Sequence, residues 1–411
     1  MIYKFFKGAF LASFFFLFSN TLSAKDYVIS NPEIIFINQK DLLSKLDTTK
    51  NHSKTCGNEK NAQYELIDLK PNKSLKGHII GDEIRQKLNP IIKKYCNFLL
   101  FKLEGDNDKT NNLKVEIKNF YLKILNTNYL LGFHKDDDDS DHAYATSISV
   151  IPTLFVYSHM KDSFDENEVK QIDEMFKKLV KKNDYMFSKK TGVSRYNNHA
   201  FYNNNLKLLV SIVTNDLEMY NESVSFFYKQ MKENKTETGL FKFDSKRGEC
   251  ALHYNLHVLS PLMSTLWNLN LQDIDVINTK LNGSQTIDEI VSIVIDAVND
   301  PRIMIKQNKK LGYTEAARKT CSPNTEIQNF GNDEIRMPYE STYWFAPYFS
   351  LTNNIENKDK FIDSMLSNKY SYDGQADSSF VSYFIDYIYL DKNTNKPIEV
   401  FKSISFDDLD F

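Results

Sequence analysis

Apolar residues recur at helical spacing along most of the chain. Ile84, Leu88, Ile91, Ile92, Tyr95 and Leu99 share one face across Glu83 to Leu103, and Leu113 to Leu125 repeats the pattern. Intervals of three and four residues mark an amphipathic α-helix, whereas a strand alternates with period two. Ser147 to Met160 is apolar almost throughout, with Pro152 near its expected start, where a helix tolerates proline best. Asp165 to Lys182 gathers Val169, Ile172, Met175, Phe176, Leu179 and Val180 on one side, behind a capping-box signature at Ser163-Phe164-Asp165-Glu166. Asn203 to Val213, Leu217 to Lys232, Cys250 to Leu269 and Ile287 to Val298 continue the series. Pro261 is expected to kink the third of these or divide it.

Helices of this size joined by short loops pair as antiparallel hairpins. No fixed-period repeat marks a solenoid family. Residues 25–75 are polar and turn-rich with poor periodicity, and Tyr370 to Tyr389 suits a strand pair or a final helix. Residues 25–411 are therefore expected to form a single all-α domain without a linker. Ahead of it, residues 1–24 have the build of a signal peptide. Lys4 and Lys7 precede an apolar run from Ala9 to Phe18, and Leu22-Ser23-Ala24 is an acceptable cleavage site. The run is too short to span a bilayer, so export to the periplasm or medium is expected, with no stable membrane anchor after cleavage.

Composition narrows the function. Hydrophobic residues make up 41% of the 411-residue chain and charged residues 26%, which excludes a disordered chain. The net charge of -3 gives no support to nucleic-acid binding. Arginine is scarce against a lysine-rich background, so each arginine draws the eye. The four cysteines, Cys56, Cys96, Cys250 and Cys321, form no close pair of the kind that holds zinc. In an oxidising compartment their even number suggests disulfides, and sequence proximity favours Cys56–Cys96 and Cys250–Cys321 among three connectivities. The acidic run Asp136–Asp139, followed by Ser140-Asp141-His142, lacks the glycine and glutamate of a calcium loop and reads as a solvated loop.

Two segments are polar where a core helix would be apolar. One is Ser194-Arg195-Tyr196-Asn197-Asn198-His199, and the other is Arg247-Gly248-Glu249-Cys250-Ala251-Leu252-His253-Tyr254. Either Asn197 or Asn198 can cap the helix that follows, placing His199 in a first turn where the helix dipole favours an anion. In the second segment Leu252, Leu256, Leu259, Met263 and Leu266 make the buried stripe. Arg247 and Tyr254, about two turns apart, then share a non-core face. The bland alternatives are a capped helix with a structural histidine and a solvated face with a snorkelling arginine. Together, however, an Asn, a His, an Arg and a Tyr suit β-elimination of a uronate. Neutralising the carboxylate stabilises the enolate-like transition state, a base takes the C5 proton, and an acid protonates the departing O4. No metal or cofactor is required.

At these residues the sequence resembles the mannuronate-type alginate lyases, polysaccharide lyase family 5, within the alginate lyase domain superfamily. The matching features are Asn198-His199, Arg247 and Tyr254 seven apart, and Tyr343-Trp344-Phe345-Ala346-Pro347-Tyr348. The resemblance is strongest over residues 140–350. It implies an incomplete (α/α) toroid of antiparallel helical hairpins around a deep cleft, and cleavage of polymannuronate to leave 4,5-unsaturated uronate ends. Carried over, Asn198, His199 and Arg247 would neutralise the carboxylate, with Tyr254 as acid and, in syn elimination, also base. Arg195, Asn197, Lys246, His253, Trp344 and Tyr348 are the expected substrate-binding residues. The expected partner is an acidic polysaccharide, met by a monomer. A lyase for glucuronan or a related glycan, and a non-catalytic helical binder of acidic glycan, are the competing readings. A glycosidase would need two paired carboxylates, and nothing in the sequence pairs Glu249 with Glu340.

Overall fold

The computed structural model describes residues 27–45, 69–71, 75, 78–133, 140–188, 196–300, 302–312, 344, 347–348, 351–352 and 354–367. The short helix α1 (Gln39–Lys45) precedes four successive helix pairs. They are α2 (His78–Glu104) with α3 (Asn107–Asn126), α4 (Ser140–Met160) with α5 (Glu166–Ser188), α6 (Asn198–Val213) with α7 (Leu217–Glu233), and α8 (Ala251–Leu271) with α9 (Ile287–Asn299). α10 (Arg302–Lys310) and α11 (Ile355–Ser367) follow. Within each hairpin the partners pack together, and α2, α4, α6 and α8 also pack on one another in succession. These four make the inner wall, with α3, α5 and α7 outside. The described residues are all-α and form an incomplete (α/α) toroid.

Burial explains which helices sit inside. In α5 the buried residues are one stripe, Ile172, Met175, Phe176, Leu179, Val180, Asn183, Met186 and Phe187. That is the amphipathic face the sequence shows. Every residue of α6 is buried except His199 and Lys207. α8 is buried from Ala251 to Leu269 with the single exception of Tyr254. A helix buried all round belongs in an inner layer.

Three local expectations are corrected. The inner helix α4 begins at Ser140, so Pro152 lies in its middle rather than near its start. Of the kink or division expected at Pro261, the division is absent, since helix α8 runs through it as one element. A proline inside a helix costs about 3 kcal/mol. Burying neighbours such as Leu262, Met263 and Leu266 stabilises by about 1.5–3 kcal/mol each and outweighs it. The capping box before α5 uses Asp165 and Glu168, whose side chains bond each other's backbone N–H at 2.9 and 2.8 Å, not Ser163.

The N-terminal segment is also more ordered than its composition suggests. Ile35, Phe36, Ile37 and Leu42 are buried. Phe36 N donates to Asn268 Oδ1 at 2.8 Å, and Trp267 Nε1 donates to Phe36 O at 2.6 Å. Glu33 N donates to Ile212 O at 3.0 Å, and His159 Nε2 lies 2.6 Å from Ile37 O. The segment straps the C-terminal ends of α4, α6 and α8, where last-turn carbonyls lack helical donors. Neither Cys96 nor Cys250 is a free thiol. Their expected partners, Cys56 and Cys321, lie outside the described residues, as do the leader, the Asp136–Asp139 run and the segment from Tyr370 to Tyr389. No described helix is long and apolar enough to cross a membrane.

Candidate active site

The end of the ring opposite the strap is where α4, α6 and α8 begin, and there the polar residues collect. On α6 the N-cap is Asn197, whose side chain accepts from His199 N at 3.2 Å. This cap fixes the first turn and puts Asn198 and His199 on it. Before α8 the chain turns through Gly248, at φ 58, a left-handed conformation that suits glycine. A single 3-10 turn, Gly248–Cys250, then leads into the helix. The Arg247 guanidinium carbon lies 3.7 Å from the centre of the Tyr254 ring. The sequence expectation that these two residues share a face is met by direct stacking.

Asn198, buried, connects the two segments. Its backbone N–H donates to Asp244 Oδ1 at 3.3 Å, and its side-chain amide lies 3.2 Å from His257 Nδ1. His257 Nε2 is 3.3 Å from the Tyr144 hydroxyl. The Tyr144 ring stacks on His199 with centroids 4.3 Å apart. His199 Nδ1 is 3.3 Å from Asp141 Oδ1, at ion-pair distance but off the line of a hydrogen bond. His199 and Tyr254, with Asp141 in the first turn of α4, are thus partly exposed side chains where the inner helices begin.

Charge at the site follows from burial. Asp244 is completely buried, and desolvation pushes its carboxyl up to about 7. Arg247 nearby, the Asn198 N–H and the Asn234 amide at 3.3 Å oppose that rise. His253 is pushed down to about 4 by burial and then by Arg247, so it is neutral at pH 7. Three helix N-termini face the same end, each carrying partial positive charge. Together with Arg247 they make a place for an anion.

The structure therefore brings Asn198, His199, Arg247 and Tyr254 into one network. Lys246 is half-buried on the turn beside them. Arg195 lies outside the described residues. Other assignments are corrected. Asn197 is a buried helix cap, and His253 is packed behind Tyr254 at a ring distance of 4.9 Å. Trp344 and Tyr348 are fully buried, Trp344 against Phe361 and Tyr348 with its hydroxyl donating to Asp288 at 2.8 Å. Their rings fill the core and offer no face to a sugar. Sequence reasoning missed Asp141, Tyr144, Asp244 and His257. The first two follow an acidic run that reads as loop, and His257 is one turn beyond Tyr254, inside the apolar pattern of α8.

The described residues thus form a helical toroid with a cluster of polar and aromatic side chains where its inner helices begin. Residues 143–304 match the model of the alginate lyase family. Among solved structures the chain is similar to alginate lyase A1-III from Sphingomonas species A1, at 15% identity and a TM-score of 0.54, over 80% of this chain and 91% of that one. A histidine-to-alanine variant of alginate lyase A1-III complexed with tetrasaccharide matches at 15% identity and TM-score 0.56, over 80% and 90%. A tyrosine-to-phenylalanine variant complexed with tetrasaccharide matches at 17% and 0.51, over 68% and 82%. No curated protein sequence matches.

Proposed function

We propose that this protein is an exported lyase that cleaves a 1,4-linked uronate polymer, the polymannuronate of alginate, by β-elimination. The observation that carries this is Tyr254. It is the one residue between Ala251 and Leu269 that is not buried, and Arg247 lies against its ring. A solvated helix face would show several exposed positions, whereas a single opening beside a cation is a site.

Asn198, His199 and Arg247 hold the substrate carboxylate and oppose the charge that develops as C5 loses its proton. Tyr254 takes that proton in the syn case, or His199 in the anti case. The C5–H electron pair forms the C4–C5 double bond, the C4–O4 bond breaks, and Tyr254 protonates the departing oxygen. Arg247 opposes the negative charge on the tyrosine oxygen while its proton is away. Lys246 and Arg195 meet neighbouring carboxylates of the polymer. The similar A1-III variants, one altered at a histidine and one at a tyrosine and both complexed with tetrasaccharide, agree with this choice of residue types.

The test follows the ultraviolet absorbance of the unsaturated product with polymannuronate, polyguluronate and glucuronan. Wild type should act on polymannuronate, and Tyr254→Phe should lower the rate about 10²- to 10⁴-fold. A rise only on another polymer moves the substrate and keeps the chemistry. No rise on any of the three from folded protein rejects the lyase reading in favour of a binder. The leader-like N-terminus supports export, a single mature domain over 25–411 and two disulfides. N-terminal sequencing of secreted protein and non-reducing peptide mapping test these; an uncleaved N-terminus or free thiols would reject them.

A further inference from the structure

Asn198 is 1% exposed, and its side-chain oxygen has no hydrogen-bond partner. The other end of the amide lies 3.2 Å from His257 Nδ1. His257 is held on its far side, with Nε2 3.3 Å from the Tyr144 hydroxyl. The three groups form a chain that ends in a buried polar atom left open in the sense of having no partner, next to His199 of the candidate site. The two ends of an amide share a shape but have opposite hydrogen-bonding sense, and a neutral imidazole carries its proton on either nitrogen. The chain therefore has two self-consistent states. In one, the amide nitrogen donates to an unprotonated Nδ1, Nε2–H donates to Tyr144, and the open atom is a carbonyl oxygen. In the other, Nδ1–H donates to the amide oxygen, the Tyr144 hydroxyl donates to Nε2, and the open atom is the amide nitrogen. An open carbonyl oxygen repels a carboxylate, and an open amide nitrogen binds it.

On the lyase reading above, we infer that His257 is a positioning residue for Asn198. Its Nδ1–H, with Nε2 accepting from the Tyr144 hydroxyl, fixes the amide with its nitrogen turned toward the substrate carboxylate. Tyr144 stacks on His199 as well, so one side chain orients both members of the Asn-His pair. The substrate carboxylate is then the partner of the Asn198 amide, and the neutralising contact gains its strength there as charge develops.

Two measurements test this. Nitrogen NMR of histidine-labelled protein, with His257→Asn identifying the signal, should show neutral His257 protonated on Nδ1. A proton on Nε2 overturns the inference whatever the activity. In the elimination assay on polymannuronate, His257→Leu should lower kcat about 10²-fold, the scale of one lost transition-state donor. His257→Asn, whose amide nitrogen takes the place of Nδ1, should recover most of that loss. A wild-type kcat in folded His257→Leu, or equal losses in the two folded variants, overturns the inference. If wild type eliminates none of the uronate polymers, the lyase reading fails by itself, and the NMR measurement still decides how Asn198 is held.

Discussion

At the scale of single residues, Asp244 and His253 make the site's stability depend on pH in opposite directions. Asp244 titrates at about 7 in the fold against an ordinary 3.8. Between those values the unfolded chain has released a proton that the native state keeps, so stability falls as pH rises across that window. His253 titrates at about 4 against an ordinary 6.5, and buried His159 does the same. In their window the unfolded chain binds protons first, so stability falls as pH drops from 6.5 to about 4. The two trends offset each other in wild type. Asp244→Asn removes one and leaves the histidines. Urea midpoints of that variant should fall more steeply on acidification from pH 6.5 to 4 than those of wild type. Parallel profiles would mean that Asp244 is ionised in the fold. The same residues show why the site was half legible. Asn198, His199, Arg247 and Tyr254 are polar where the helical pattern calls for apolar side chains, so they stand out. Asp244 and His257 gain their roles from three-dimensional neighbours, and no spacing in the chain announces them.

At the scale of elements, the outer helices were legible and the inner ones were not fully so. Helix α5 faces solvent on one side, and the contrast prints a period on its sequence. Helix α4 is buried along nearly its whole length, so its true start at Ser140 leaves no alternation to read. The strap was hidden for a related reason, since Ile34-Ile35-Phe36-Ile37 is a continuous apolar run without a period. What ties these elements together can be ranked. Lys161 Nζ donates to Val213 O at 2.7 Å, at the C-terminus of α6, and pairs with Glu33 of the strap at 3.0 Å and Asp173 of α5 at 3.2 Å. Lys161→Ala strips the cation from Asp173, whose carboxyl burial already pushes up. Its expected cost is about 3 kcal/mol. Thr286→Ala removes one half of the capping box of α9 and should cost about 1 kcal/mol. Urea denaturation of both variants checks the order. A smaller loss for Lys161→Ala than for Thr286→Ala would show that the buried charge cluster contributes less than a surface cap.

At the scale of the whole molecule, the ring separates two tasks. Its strapped end holds the C-termini of α4, α6 and α8 together, and its other end presents their N-termini with Arg247 and Tyr254. Trp344 and Tyr348 illustrate what only the assembled fold decides, because a core aromatic and a sugar platform look alike in sequence. On the proposed function, the assembled fold also sets how an acidic polymer approaches a chain of net charge -3. Long-range attraction must come from the local positive end of the ring against a negative whole, and salt screens such fields beyond about 10 Å. Contacts made within the cleft, by Arg247 over Tyr254 and by the first turns of the inner helices, act at short range and are screened far less. Raising sodium chloride should therefore raise KM for polymannuronate several-fold on the scale of screened steering, while kcat stays level. Initial rates across a salt series separate the two constants. A kcat that falls while KM holds would place the salt-sensitive charges at the reacting carboxylate itself and would overturn the division between approach and chemistry.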